Sequence, residues 1–170
     1  YGEPRKALLV FLIAGITDAL DGFIARVAQQ QSLLGTYLDP IADKLLLTSA
    51  WVVLAIPNLA NTAPVPLWVT ILVIARDLLI VIVALVLYLA VGVRRFRPSW
   101  LSKITTVVQV SAVVAVLVAG LAKTAPSEVA RGFDALADVL IYATAALTLA
   151  SGLHYLYCAG RMFEAKDRAD

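Results

Sequence analysis

Long apolar runs dominate the chain, and polar residues gather between them. Five stretches carry this pattern: 7–27, 41–60, 67–92, 104–122 and 134–157. Each approaches or exceeds the roughly 20 apolar residues that a helix needs to cross the hydrocarbon of a bilayer. They are too long and too uniformly apolar for strands. Backbone groups in lipid must also be satisfied within a helix or a closed barrel. The links are short and carry turn residues. Pro57, Asn58, Asn61, Pro64 and Pro66 punctuate one, Gly92, Pro98 and Ser99 the next, and Pro126 and Ser127 the last. The pattern predicts an all-α, polytopic transmembrane helical bundle. With no internal repeat or low-complexity run, residues 1–170 read as a single membrane domain.

Composition narrows the function classes. Of 170 residues, 61% are hydrophobic and 15% charged, against about 45–50% and 25% in soluble domains. A soluble enzyme and a disordered segment are excluded. A net charge of +2 supplies no basic field for nucleic acid. One Cys (Cys158) and one His (His154) do not make a zinc site of Cys and His ligands. Any metal must be held by carboxylates.

Lys and Arg in short loops predict the orientation. Arg94, Arg95, Arg97, Lys103, Arg161, Lys166 and Arg168 fall on one side if five helices alternate. Arg5, Lys6, Lys123 and Arg131 fall on the other. This bias puts the C-terminus and the 27–40 turn in the cytoplasm. Trp51, Trp68 and Trp100 stand near expected span ends, where interfacial aromatics occur, with plain packing as the alternative for each.

The residues that break the apolar pattern carry the chemistry. Asp18, Asp21 and Arg26 interrupt the first span. Asp39, Asp43 and Lys44 open the second, and Arg76 and Asp77 interrupt the third. An ionisable group at membrane depth costs about 2.5–3.5 kcal/mol on insertion scales and usually marks function. Positions 18, 21, 22, 25 and 26 share one helix face, and so do 35, 39 and 43. Because the intervening turn returns the chain, the two faces can meet. Four carboxylates at one site would raise one another's pKa values unless cations sat among them. Oxygen-only ligation suits Mg²⁺, Mn²⁺ or Ca²⁺, and Mg²⁺ is commonly shared with substrate phosphates. Arg26 offers a planar fork for phosphate oxygens. Gly22 leaves room for a ligand beside the backbone, and Gly35 allows close packing or a turn. Buried ion pairs are the structural alternative. A cation or proton transporter is the functional one, since it uses carboxylates at the same depth.

The arrangement Asp18-x2-Asp21-Gly22-x2-Ala25-Arg26-x8-Gly35-x3-Asp39-x3-Asp43 resembles, at every fixed position, the signature of the CDP-alcohol phosphatidyltransferases. That family has six transmembrane helices with the signature on the second and third. The resemblance therefore implies that the first span here is the family's second, and that a preceding helix is missing from this sequence. It implies transfer of a phosphatidyl group from a CDP-linked donor to an alcohol, with release of CMP. It implies a pair of divalent ions, Mg²⁺ or Mn²⁺, held by Asp18, Asp21, Asp39 and Asp43. Asp43 would also be the general base on the acceptor hydroxyl. Asp21, Gly22, Ala25, Arg26 and Gly35 would form the CDP-donor pocket. The family also implies a homodimer.

Two branches compete for the acceptor. The synthases that use glycerol 3-phosphate usually show Gly-Lys-x-Lys-Thr before the fifth helix, where this chain reads Ser102-Lys103-Ile104-Thr105-Thr106. Thr105 replaces the second lysine. The stretch Arg97-Pro98-Ser99-Trp100-Leu101-Ser102-Lys103, with Thr106 and Gln109, resembles the cardiolipin synthase branch, as do Pro64-Val65-Pro66-Leu67 and Arg76-Asp77. Phosphatidylglycerol is the expected acceptor and glycerol 3-phosphate the alternative, with Arg76 and Lys103 as the acceptor-binding cations. Asp134 and Asp138 read as charges favoured by the N-terminal dipole of the last helix, His154 as an interfacial side chain, and Cys158 as inert. The expected location is the bacterial cytoplasmic membrane, or the mitochondrial inner membrane in a eukaryote.

Overall fold

The structure is a computed structural model, and it describes residues 4–27, 33–57, 65–91, 100–123 and 126–167. Those residues form five helices: α1 (Pro4–Val27), α2 (Leu33–Ala55), α3 (Leu67–Val91), α4 (Trp100–Ala122) and α5 (Ser127–Asp167). There is no strand among the described residues, as the apolar pattern predicts. Three of the helices contain segments long and apolar enough to cross a membrane: Leu67–Leu87, Trp100–Ala122 and Ser127–Arg161. Within α2, Lys44–Ala55 is a shorter apolar run.

The helix ends depart from the expected spans at the starts of α1 and α4 and at both ends of α2 and α5, where α2 stops at Ala55 rather than 60 and α5 runs on to Asp167 rather than 157. α2 starts at Leu33 and continues through Pro40, where the sequence pattern begins only at 41. Apolar spans tolerate an internal proline because neighbouring groups satisfy the freed carbonyl. Gly35, Asp39 and Asp43 therefore all lie on one helix. α4 starts at Trp100, so Lys103 is in its first turn rather than before it. α5 starts at Ser127 and has Glu128 in its first turn. Asp134 and Asp138 then sit about two and three turns along, beyond the dipole's reach. That corrects their reading as N-terminal charges.

The chain packs as two compact units. The first draws on Tyr1–Pro66 and Val113–Ala137. Here α1 packs against α2. Trp51 (1% exposed), Leu54 and Val65 are buried. The Val65 amide donates to the Leu54 carbonyl at 3.1 Å, so the chain after α2 folds back on its end. Trp51 is thus a core residue and not an interfacial one. Trp68 and Trp100 are exposed, as interfacial aromatics are.

The second unit draws on Leu67–Ala112 and Asp138–Asp170. Beside buried apolar residues such as Val69, Val73, Leu87 and Ile141, it buries polar ones and exposes large apolar ones. Thr70, Arg76, Thr105, Gln109, Thr144, Thr148 and Ser151 are buried, while Leu78, Val81, Ile82, Val107, Leu149 and Leu153 are exposed. On α5 the buried positions 141, 144, 148, 151 and 155 recur at three- and four-residue steps, which is one helix stripe. Lipid tails are as apolar as leucine, so helices in a membrane associate through close packing and interhelical hydrogen bonds. Gln109 Nε2 donates to Thr148 Oγ1 at 3.4 Å. Thr105 Oγ1 donates to Leu101 O at 2.8 Å, and approaches Leu147 O at 3.4 Å. These contacts tie α4 to α5.

Replacing Trp51 by alanine removes the largest fully buried side chain of the first unit. We expect Trp51→Ala to lose about 3–5 kcal/mol of stability, read as a lower thermal midpoint in detergent. The exposed Trp68→Ala variant should stay near the parent value.

Candidate functional site

Two sets of residues were expected to carry function, and the structure describes them to different depths. The signature aspartates lie on the paired helices α1 and α2. Asp18 and Asp21 are three residues apart on α1, and Asp39 and Asp43 four apart on α2. The side chains of Asp18, Asp21, Gly22, Ala25, Arg26, Gly35, Asp39 and Asp43 lie outside the described residues. So do Arg94, Arg95 and Arg97 in the 92–99 link. Among the described residues no group of three His, Cys, Asp or Glu side chains comes together as a metal site. The chemistry of the signature donor set fits a hard divalent cation. It offers four carboxylates on two helices that pack together, with no sulfur or imidazole among them.

The second set is described in detail. Arg76 on α3 is 5% exposed and engages three protein partners. Nη1 donates to Asp77 Oδ1 at 2.8 Å. Nη2 donates to Ser102 Oγ on α4 at 2.7 Å and reaches Ser151 Oγ on α5, also at 2.7 Å. Nε reaches the same Ser151 oxygen at 3.3 Å. Neighbouring helix residues point apart, which argues against an Arg76–Asp77 pair from spacing alone. The long arginine arm overcomes that divergence and makes the pair. Arg76 is therefore a junction of α3, α4 and α5.

Lys103, the residue after Ser102, is exposed. Its Nζ stands 5.2 Å from the centroid of the Trp100 ring, within cation–π range. Thr105 is fully buried at 0% exposure, with its hydroxyl turned to helix carbonyls. Arg76 and Lys103 were expected as a pair of cations at one anion. Instead one is buried and answered by protein, while the other is open. The hydroxyls of Ser102 and Ser151 are the partners of Arg76 that the apolar pattern does not single out. For Ser151 the sequence signal is the row Thr144, Thr148, Ser151 and Tyr155, polar residues at helical spacing on an otherwise apolar span. His154 is exposed, and its Nε2 lies 3.6 Å from Cys158 Sγ one turn on.

A model of the CDP-alcohol phosphatidyltransferase family matches residues 2–148. The chain belongs to this family. It is similar to human cardiolipin synthase (CMP-forming), with 40% identity over 131 residues, covering 66% of this chain and 41% of that one. To the rat protein of the same name it is 34% identical over 173 residues, covering 91% and 52%. It is also 34% identical over 161 residues to the CDP-diacylglycerol--glycerol-3-phosphate 3-phosphatidyltransferase of Sodalis glossinidius, covering 92% and 79%. The chain spans about half the length of the cardiolipin synthases it matches. No solved structure gives a significant match. Family membership accords with the signature on α1 and α2, and its relatives carry names from both acceptor branches.

The burial of Thr105 makes a direct test of the lysine pattern. A lysine there would push an unpaired charge into the contact between α4 and α5. We expect Thr105→Lys to lose about 3 kcal/mol, measured as the unfolding midpoint in detergent, without gaining turnover on glycerol 3-phosphate. A stable variant that takes up this acceptor would contradict the packing argument.

Proposed function

We propose that the chain is the catalytic membrane domain of a metal-dependent phosphatidyltransferase. The donor is CDP-diacylglycerol and the acceptor is the free hydroxyl of phosphatidylglycerol, giving cardiolipin and CMP. The observation that carries this reading is the eight-position signature, distributed over two helices that pack against each other. The three long apolar helices support a membrane setting. We assign the chain to the bacterial cytoplasmic membrane, with its chemistry on the cytoplasmic face and a homodimer as the working unit.

In this reading Asp18, Asp21, Asp39 and Asp43 hold Mg²⁺ or Mn²⁺. When bound, such ions neutralise charge on the diphosphate and stabilise the leaving CMP. The remaining work belongs to the chain. Gly22, Ala25 and Gly35 supply a wall without bulky side chains for the nucleotide, and Arg26 contacts the diphosphate. Asp43 takes the proton from the acceptor hydroxyl. The hydroxyl oxygen bonds to the phosphorus of the phosphatidyl group. The bond from that phosphorus to the CMP oxygen breaks, and CMP leaves. Lys103 supplies the cation for the acceptor phosphate. A lysine at 103 without a second one at 105 suits the one charge of a phosphodiester, and the burial of Thr105 supports the absence of a cation at that position. Glycerol 3-phosphate is the second reading, favoured by the Sodalis relative and its high mutual coverage.

The test supplies the purified full chain with CDP-diacylglycerol and Mg²⁺ or Mn²⁺, and with either acceptor in turn. Lipid product from phosphatidylglycerol alone is the expected result, and product from glycerol 3-phosphate alone reverses the acceptor assignment. Asp43→Asn should lower kcat by about 10²–10⁴-fold, and full turnover in that variant would sink the base role. Chelation with EDTA should abolish CMP release, and added Mg²⁺ or Mn²⁺ should restore it.

A further inference from the structure

Arg76 was expected to touch the acceptor, but its surroundings suit another task. Its charge is already met by the Asp77 carboxylate at 2.8 Å. Its Nε–Nη2 edge is taken by Ser102 and Ser151, and its side chain is 4% exposed. An arriving phosphate would have to displace a carboxylate and two hydroxyls in a dry setting, where each contact is strong. We propose that Arg76 is a positioning residue rather than an acceptor ligand. Through Ser102 it clamps the first turns of α4 and so aims Lys103 at the acceptor phosphate.

The geometry carries this step by step. Ser151 on α5 and Asp77 on α3 fix the guanidinium plane from two sides. The fixed Nη2 then holds Ser102 Oγ at 2.7 Å. Ser102 is in the first turn of α4, where backbone amides lack intrahelical partners and the helix is otherwise prone to fray. Lys103 is the next residue, and its ammonium rests over the Trp100 ring of the same turn. A lysine has four rotatable stem bonds and is poorly directed by itself. Fixing its backbone and offering a ring for its head reduces the ordering entropy at binding. The role of Lys103 rests on the transferase reading, whereas the clamp itself does not.

The experiment removes the clamp and keeps both cations. In the full chain, Ser102→Ala should raise KM for the acceptor roughly fivefold, with kcat and KM for CDP-diacylglycerol within about twofold. Ser102→Thr restores the hydroxyl and should restore acceptor KM. In a Lys103→Ala background, Ser102→Ala should have no further effect on acceptor KM. Without substrate, amide hydrogen exchange over residues 101–106 should be faster in Ser102→Ala than in the parent. Unchanged acceptor KM in Ser102→Ala, or additive effects in the double variant, overturns the action through Lys103. Unchanged exchange overturns the clamp. If the parent shows no transfer to either acceptor, the transferase reading falls, and the exchange measurement still decides the clamp.

Discussion

A charge inside an apolar helix has to be answered by protein, because lipid offers no partner and water is excluded. Arg76 shows what that demand does to the second unit. Its guanidinium draws a carboxylate from its own helix and hydroxyls from two others. Three helices whose surfaces are mostly leucine, valine and alanine acquire one specific arrangement in this way. Nonpolar contact alone specifies little between such helices in lipid. The buried serines, threonines and Gln109 extend the same principle along α4 and α5. Each hydroxyl or amide on that seam pays off only when its partner is opposite it, so the seam sets register as well as proximity.

The same constraint divides labour along the chain. Ionisable groups that protein already satisfies are structural, and those that protein leaves open are available for ligands. Under the proposed reading Arg76 belongs to the first kind and Lys103 to the second, although the sequence alone offers both as acceptor cations. The four signature aspartates put like charges at helical spacing on α1 and α2. In the family reading, those charges are answered by divalent ions and by the cationic side chain of Arg26.

Much of the helical architecture was legible because period and length are strong signals in apolar segments. The five helices lie where the five runs predict, and α3 matches its run within one residue. The misses have local causes. The apolar run of α2 begins only at 41, because polar residues surround the shared face of 35, 39 and 43, yet the helix starts at Leu33. The polar start of α5 conceals about two helical turns, since Glu128 and Arg131 dilute the apolar pattern without breaking the helix. Trp51 looked interfacial because tryptophan near a span end usually is, but no sequence rule says which face of a helix will meet its neighbour. Helical geometry argues against an Arg76–Asp77 pair, but it governs Cβ directions rather than the reach of a long side chain. The signature was legible at eight positions, because residue types at fixed spacings carry the resemblance to the family.

Thr105 joins the packing argument to the choice of acceptor. In the pattern associated with glycerol 3-phosphate, the second lysine falls at this position. Here the position is fully buried, and its hydroxyl is directed at carbonyls of its own helix and of α5. A cation could occupy it only if α4 turned its other face outward, which would withdraw Gln109 from Thr148, one turn further along the same stripe. The residues that seal α4 to α5 and the absence of a second lysine are therefore one feature. Under the proposed reading, specificity for a singly charged phosphodiester follows from how α4 is packed, in addition to what is displayed at its exposed start. In that reading Lys103 has no second cation at position 105, because Thr105, two residues on, is committed to holding the helices together.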